Sequence, residues 1–136
     1  MTQKNLMPVS LRVPGEREYA LVVRTALSGL AVLMDFDMDA LDDLRMAADE
    51  CLECLLGQGR KVGAVQVEAK RSEEMMNLTM TAEFVSPDVQ GDAQELELTS
   101  SVLETLARQV DIVSDEGGCV QRIELVMCPH MPRWAV

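Results

Sequence analysis

Leu41-Asp42-Asp43-Leu44-Arg45-Met46-Ala47-Ala48-Asp49-Glu50-Cys51-Leu52-Glu53-Cys54-Leu55-Leu56 is the stretch whose reading decides the fold. Leu41, Leu44, Ala48, Cys51, Leu52 and Leu55 recur at helical steps, so the stretch predicts one long amphipathic helix with a single apolar stripe. Asp37 or Asp39 can cap its start, and Gly57 and Gly59 sit where a left-handed C-terminal cap belongs. Asp49, Glu50, Glu53 and Cys54 fall off the stripe. Glu50 and Cys54 lie one helical turn apart and share a face. Periodicity alone reads these acids as a solvated surface, since carboxylates are rarely buried. Any chemistry of this helix belongs to that face.

Working outward, Leu6 to Val13 reads as a short first strand ending at Pro14-Gly15. Glu16 to Met34 reads as a helix, with Tyr19, Val22, Val23, Ala26, Leu30 and Leu33 as its stripe. After Gly57 the period changes to two. Val65, Val67 and Ala69 form one strand and Met76, Leu78, Met80, Ala82 and Phe84 the next, an antiparallel hairpin turning through Arg71 to Glu74. Ser86 to Asp92 is a loop. Leu96, Leu98, Val102, Leu103, Leu106 and Val110 mark a third helix. Asp111 to Ser114 and Cys119 to Met127 are two further strands around a turn at Gly117-Gly118, followed by a Pro-broken tail. The order β-α-α-β-β-α-β-β implies an α/β (α+β) two-layer sandwich. It predicts a mostly antiparallel mixed sheet with helices on one face, in a single domain spanning residues 1–136.

Composition narrows the function. With 12 Lys and Arg against 23 Asp and Glu, the formal net charge is −11, which opposes binding to nucleic acid or anionic lipid. Hydrophobic residues make up 48% and aromatics only 3%, so Leu, Val, Ala and 10 Met must fill the core. No signal peptide and no membrane span are legible, and four cysteines without an export signal read as reduced thiols. The expected location is the cytoplasm.

Few motifs suggest a metal or a nucleophile. Cys51 and Cys54 have C-x-x-C spacing but lie inside the helix. Cys119 and Cys128 would be about 30 Å apart on a straight strand and on opposite faces, so no metal site is expected. His130 is the single histidine, in the tail, without a partner nucleophile that spacing identifies. Gly57-Gln58-Gly59 follows a helix and precedes a strand, the reverse of a phosphate loop.

Leu11-Arg12-Val13-Pro14-Gly15-Glu16-Arg17-Glu18-Tyr19 with Val23-Arg24 resembles the first strand and helix of the RsbW-type anti-sigma-factor serine kinases. These belong to the histidine-kinase-like (GHKL, Bergerat-fold) ATPases of bacterial transcription regulation. The 42–54 stretch resembles their central helix, whose pattern is Glu-x-x-x-Asn, and Leu106 to Val113 resembles the segment before their last hairpin. The resemblance implies Glu50 as general base and Cys54 at the position of the magnesium-binding asparagine. Glu83-Phe84-Val85-Ser86-Pro87 stands where the family's Asp-x-Gly-x-Gly run holds adenine, which puts Glu83 at the adenine ligand. A neutral thiol is a poor Mg²⁺ ligand. The glycines are missing, and the acidic loop from Ser86 to Gln94 replaces a glycine-rich lid.

The implied function is therefore regulatory. The chain is expected to bind a sigma factor or an anti-anti-sigma partner of the STAS fold, with a homodimer possible by analogy, and with no cofactor. The alternative is an active ATP- and Mg²⁺-dependent serine/threonine kinase using Glu50. A weaker alternative is a thiol sensor built on Cys51 and Cys54. Phe84, Val85, Leu96, Leu98 and Val102 are expected to close the nucleotide pocket.

Overall fold

The computed structural model describes residues 8–87 and 90–130. The central helix, α2 (Met38–Leu56), begins a turn earlier than its apolar stripe suggests. Asp37 rather than Asp39 is the cap: its Oδ1 accepts from the Ala40 backbone N–H at 2.8 Å, satisfying one of the orphan donors of the first turn. Leu44, Ala48, Cys51, Leu52 and Leu55 are buried, joined by Ala40 and Ala47. Fully burying leucines such as Leu44 and Leu55 contributes roughly 1.5–3 kcal/mol each. Gly57 closes the helix with φ −97°, so the left-handed cap expected there does not form; Gly59, two residues on, takes φ +74°.

The first strand, β1 (Val9–Pro14), is preceded by Leu6 and Met7, which lie outside the described residues. Arg17–Tyr19 form a single 3-10 turn and α1 (Ala20–Leu33) follows. Its buried residues are Val23, Leu27 and Ala31, whereas Val22 and Leu33 of the expected stripe are exposed. The reason is compositional. Arg24 is the one charged residue of α1, so no polar face fixes the phase of the apolar one. β2 (Val62–Ser72) and β3 (Met75–Phe84) form the hairpin, turned by Glu73 and Glu74 with φ +50° and +68°. α3 (Ala93–Leu106) is shorter than its leucine spacing implies. Val110 belongs instead to β4 (Gln109–Ser114), where it pairs with Leu125 of β5 (Val120–Met127).

The sheet order is β1-β2-β3-β5-β4, and all four pairings are antiparallel. Val65, Val67 and Ala69 of β2, Met76, Leu78, Met80 and Ala82 of β3, and Ile123, Leu125 and Met127 of β5 form the buried side of the sheet. The three helices cover that side. The alternate positions, among them Gln66, Thr79, Thr81 and Glu124, make up an uncovered polar face. This is the expected element order and two-layer arrangement, with the sheet antiparallel throughout.

Candidate functional site

Where the C-terminal end of α2 meets the start of α3 and the turn between β4 and β5, a cleft of about 320 Å³ remains open. Cys54 and Gln58 line it from the α2 side, and Asp92, Glu95, Leu96 and Thr99 from the α3 side. Asp92 caps α3, its Oδ1 accepting from the backbone N–H groups of Gln94 at 3.0 Å and Glu95 at 3.2 Å. The Gln58 amide is engaged on both ends with the start of β5: Oε1 accepts from the Val120 N–H at 2.6 Å and Nε2 donates to the Val120 carbonyl at 2.8 Å. Thr99, buried on α3, lines the cleft beside the Cys54 thiol.

Two locks hold the rim. Arg60 donates to Asp115 Oδ2 at 2.6 Å and lies 4.0 Å from the centre of the Phe84 ring. Its Nε also reaches the Ser86 carbonyl at 3.4 Å, so one cation ties the end of α2's loop to the exit of β3 and the last turn. The second lock is backbone: Gly91 donates to the Gly117 carbonyl at 2.9 Å, and a Cβ on Gly91 would overlap the Gly118 carbonyl oxygen.

The expected plug is not built. Val85, Leu98 and Val102 point to solvent, Phe84 is half-buried beneath Arg60, and of the five only Leu96 lines the cleft. A short acidic loop shortens the lid without bringing α3's apolar outer side chains inward.

Of the site residues read from the sequence, Cys54 lies in the cleft. Glu50 is half-buried one turn before it on α2. Glu83 lies elsewhere, exposed on the polar face of the sheet, where Arg12 grips it with Nε to Oε2 at 3.0 Å and Nη2 to Oε1 at 2.9 Å. That hydrogen bond holds the Glu83 carboxyl below its usual range. Burial pushes the Cys54 thiol up, with the Thr99 hydroxyl opposing and the Glu50 and Glu95 charges adding. Cys51 is fully buried and is pushed far up, again chiefly by burial. Both stay protonated near neutral pH, which leaves little of the thiolate that a redox switch needs. Cys119 is buried before β5 and Cys128 is half-buried after it. Among the described residues no group of three or more His, Cys, Asp or Glu could hold a metal ion.

No protein-family model matches the chain. It is similar to the serine-protein kinase RsbW of Listeria innocua serovar 6a and to that of Listeria monocytogenes serovar 1/2a. Each is 25% identical over 130 residues, covering 82% of this chain and 83% of the relative. The similarity to these RsbW kinases runs over about four fifths of the chain. No Lys or Arg is among the described residues lining the cleft. Sequence reading missed Gln58, Thr99, Arg60 and Asp115. Thr99 carried a signal, since it continues the spacing of Leu96, Leu103 and Leu106 on α3. Gln58, between two glycines, carried none. Among the described residues no helix is long and apolar enough to cross a membrane.

Proposed function

We propose that the chain is a cytoplasmic regulator of the anti-sigma-factor type. It works by binding a sigma factor or an anti-anti-sigma protein of the STAS fold, without nucleotide. The observation that carries this reading is the charge of the cleft. A triphosphate needs cations or free backbone N–H groups, and the cleft offers the Asp92 and Glu95 carboxylates with no cation among its described lining residues. The start of α3 would be the natural seat for a phosphate, but Asp92 already occupies its N–H groups. Cys54, at the family's magnesium position, is a protonated thiol with little affinity for a hard cation. Glu83, at the adenine position, is engaged with Arg12 on the other face of the sheet. Glu50 then has no phosphoryl transfer to assist.

The kinase reading retains one observation, the open cleft beside Glu50 in a relative of kinases. Calorimetry with Mg²⁺–ATP separates the two. No heat of binding at millimolar nucleotide is expected, and a saturable isotherm would overturn the nucleotide-free reading. Size-exclusion chromatography with each sigma factor and STAS-domain protein of the source organism should give one co-eluting complex without nucleotide. Failure with all of them would remove the binding reading.

A further inference from the structure

The seam between α2 and α3 continues from the cleft along the outside of the molecule. α3 leaves the end of β3, where Phe84 pairs with Val62, and delivers the chain to Gln109, which pairs with Val126 at the far end of the sheet. α2 starts at that far end, where the Asp37 N–H donates to the Pro129 carbonyl, and finishes at the cleft. The two helices therefore pack antiparallel. Met46, Glu50 and Cys54 form one ridge of α2, and Glu95, Leu98 and Val102 one ridge of α3. With Cys54 beside Glu95 and Thr99, the helical rise sets Leu98 level with Cys54 and Val102 level with Glu50, with Met46 one turn further along α2. The charges of Glu50 and Glu95 both act on the Cys54 thiol, which independently puts the two carboxylates on this seam.

The groove so formed is apolar along its middle and acidic along its rim. Met46 is 55% exposed, Leu98 67% and Val102 40%. Glu50 and Glu95 flank them, Glu97 and Glu104 stand exposed on the outer side of α3, and α3 has no Lys or Arg. The geometry points to this α2–α3 groove as the docking site for a basic amphipathic helix of the protein partner. The inference rests on the reading that the chain works by protein binding. The apolar stripe of such a helix covers Met46, Leu98 and Val102, and its Lys or Arg side chains meet Glu50 and Glu95. Charge chooses the occupant. A second copy of this chain would bring a further −11 to an acidic rim, and an anionic lipid surface would be repelled. The exposed side of α1, with Leu21, Val22, Val32 and Leu33, carries no Asp or Glu within the helix and serves as the control surface.

The probe is a fluorescein-labelled Leu/Lys amphipathic peptide of about 14 residues, roughly 21 Å long as a helix, titrated with the full chain and read by anisotropy. Leu98→Asp and, separately, Val102→Asp should weaken binding by about tenfold or more, while Leu21→Asp leaves it unchanged. Each of these side chains is exposed, so circular dichroism should show all three variants folded. An added carboxylate strengthens nonspecific attraction to a cationic peptide, so only loss of the groove can weaken it. Glu50→Gln with Glu95→Gln should flatten the salt dependence of the affinity. Equal or tighter binding by Leu98→Asp, or an equal loss in Leu21→Asp, would overturn the proposal. So would a dimer, seen by light scattering, that Leu98→Asp breaks. A sigma-factor or STAS complex indifferent to Leu98→Asp would sink the groove and leave the proposed function standing. Mg²⁺–ATP binding with the peptide result intact would do the reverse.

Discussion

Arg60 shows how much one side chain can organise. It is only 11% exposed, and its guanidinium is held by the Asp115 carboxylate and the Phe84 face together. Removing one partner of an enclosed ion pair leaves the other uncompensated. Arg60→Ala should therefore cost about 2–4 kcal/mol in urea unfolding, with the midpoint lowered and the slope unchanged. Arg60→Lys should restore less than half of that, because an ammonium neither forks onto the carboxylate nor stacks on the ring. Cys51 gives a second prediction at this scale. Its thiol is raised in the folded chain, so folded and unfolded states bind equal protons below the ordinary thiol range. Above that range the unfolded thiol ionises while the folded one stays protonated, and stability falls as pH rises. Between about pH 8.5 and pH 10 the loss should approach about 1.4 kcal/mol per pH unit from Cys51, and Cys51→Ala should flatten it in denaturation series across pH.

At the scale of elements, legibility followed contrast. α2 was readable because its acids and its leucines separate cleanly around the helix, and the β2–β3 hairpin because polar and apolar residues alternate without interruption. α1 was readable as a helix but not in orientation, since Arg24 alone cannot mark an outside. The end of α3 was misjudged because Val110 continues the helical spacing while belonging to β4, whose pairing with Leu125 overrides local pattern. The candidate site was half legible. Cys54 and Glu50 were reachable through the spacing of one helix. The rim was not, because Arg60, Asp115 and Phe84 come together only when three loops meet. Gly91 is the clearest case. Nothing near it in sequence marks it, yet it touches the β4–β5 turn too closely for any side chain. Gly91→Ala must push the start of α3 off that turn, at about 1–3 kcal/mol, and hydrogen exchange should quicken at the Gly91 and Gly118 amides, while β2 and β3 stay protected.

At the scale of the whole molecule, the sheet sets the order in which the chain can be completed. Val9 pairs with Ala69 and Pro14 with Ala64, so among the described residues β1 finds its one strand partner fifty to sixty residues later. On the ribosome, at about 5–20 residues per second, β1 emerges and then waits roughly 3–12 seconds before β2 clears the exit tunnel. During that wait α1 and α2 can pair, but Val13, Val23 and Leu27 have no sheet to cover them. The nascent chain is thus a helical hairpin carrying an unpaired strand and an open apolar flank. The time taken to translate residues 15–72, rather than the stability of the finished protein, sets how long that flank stays uncovered.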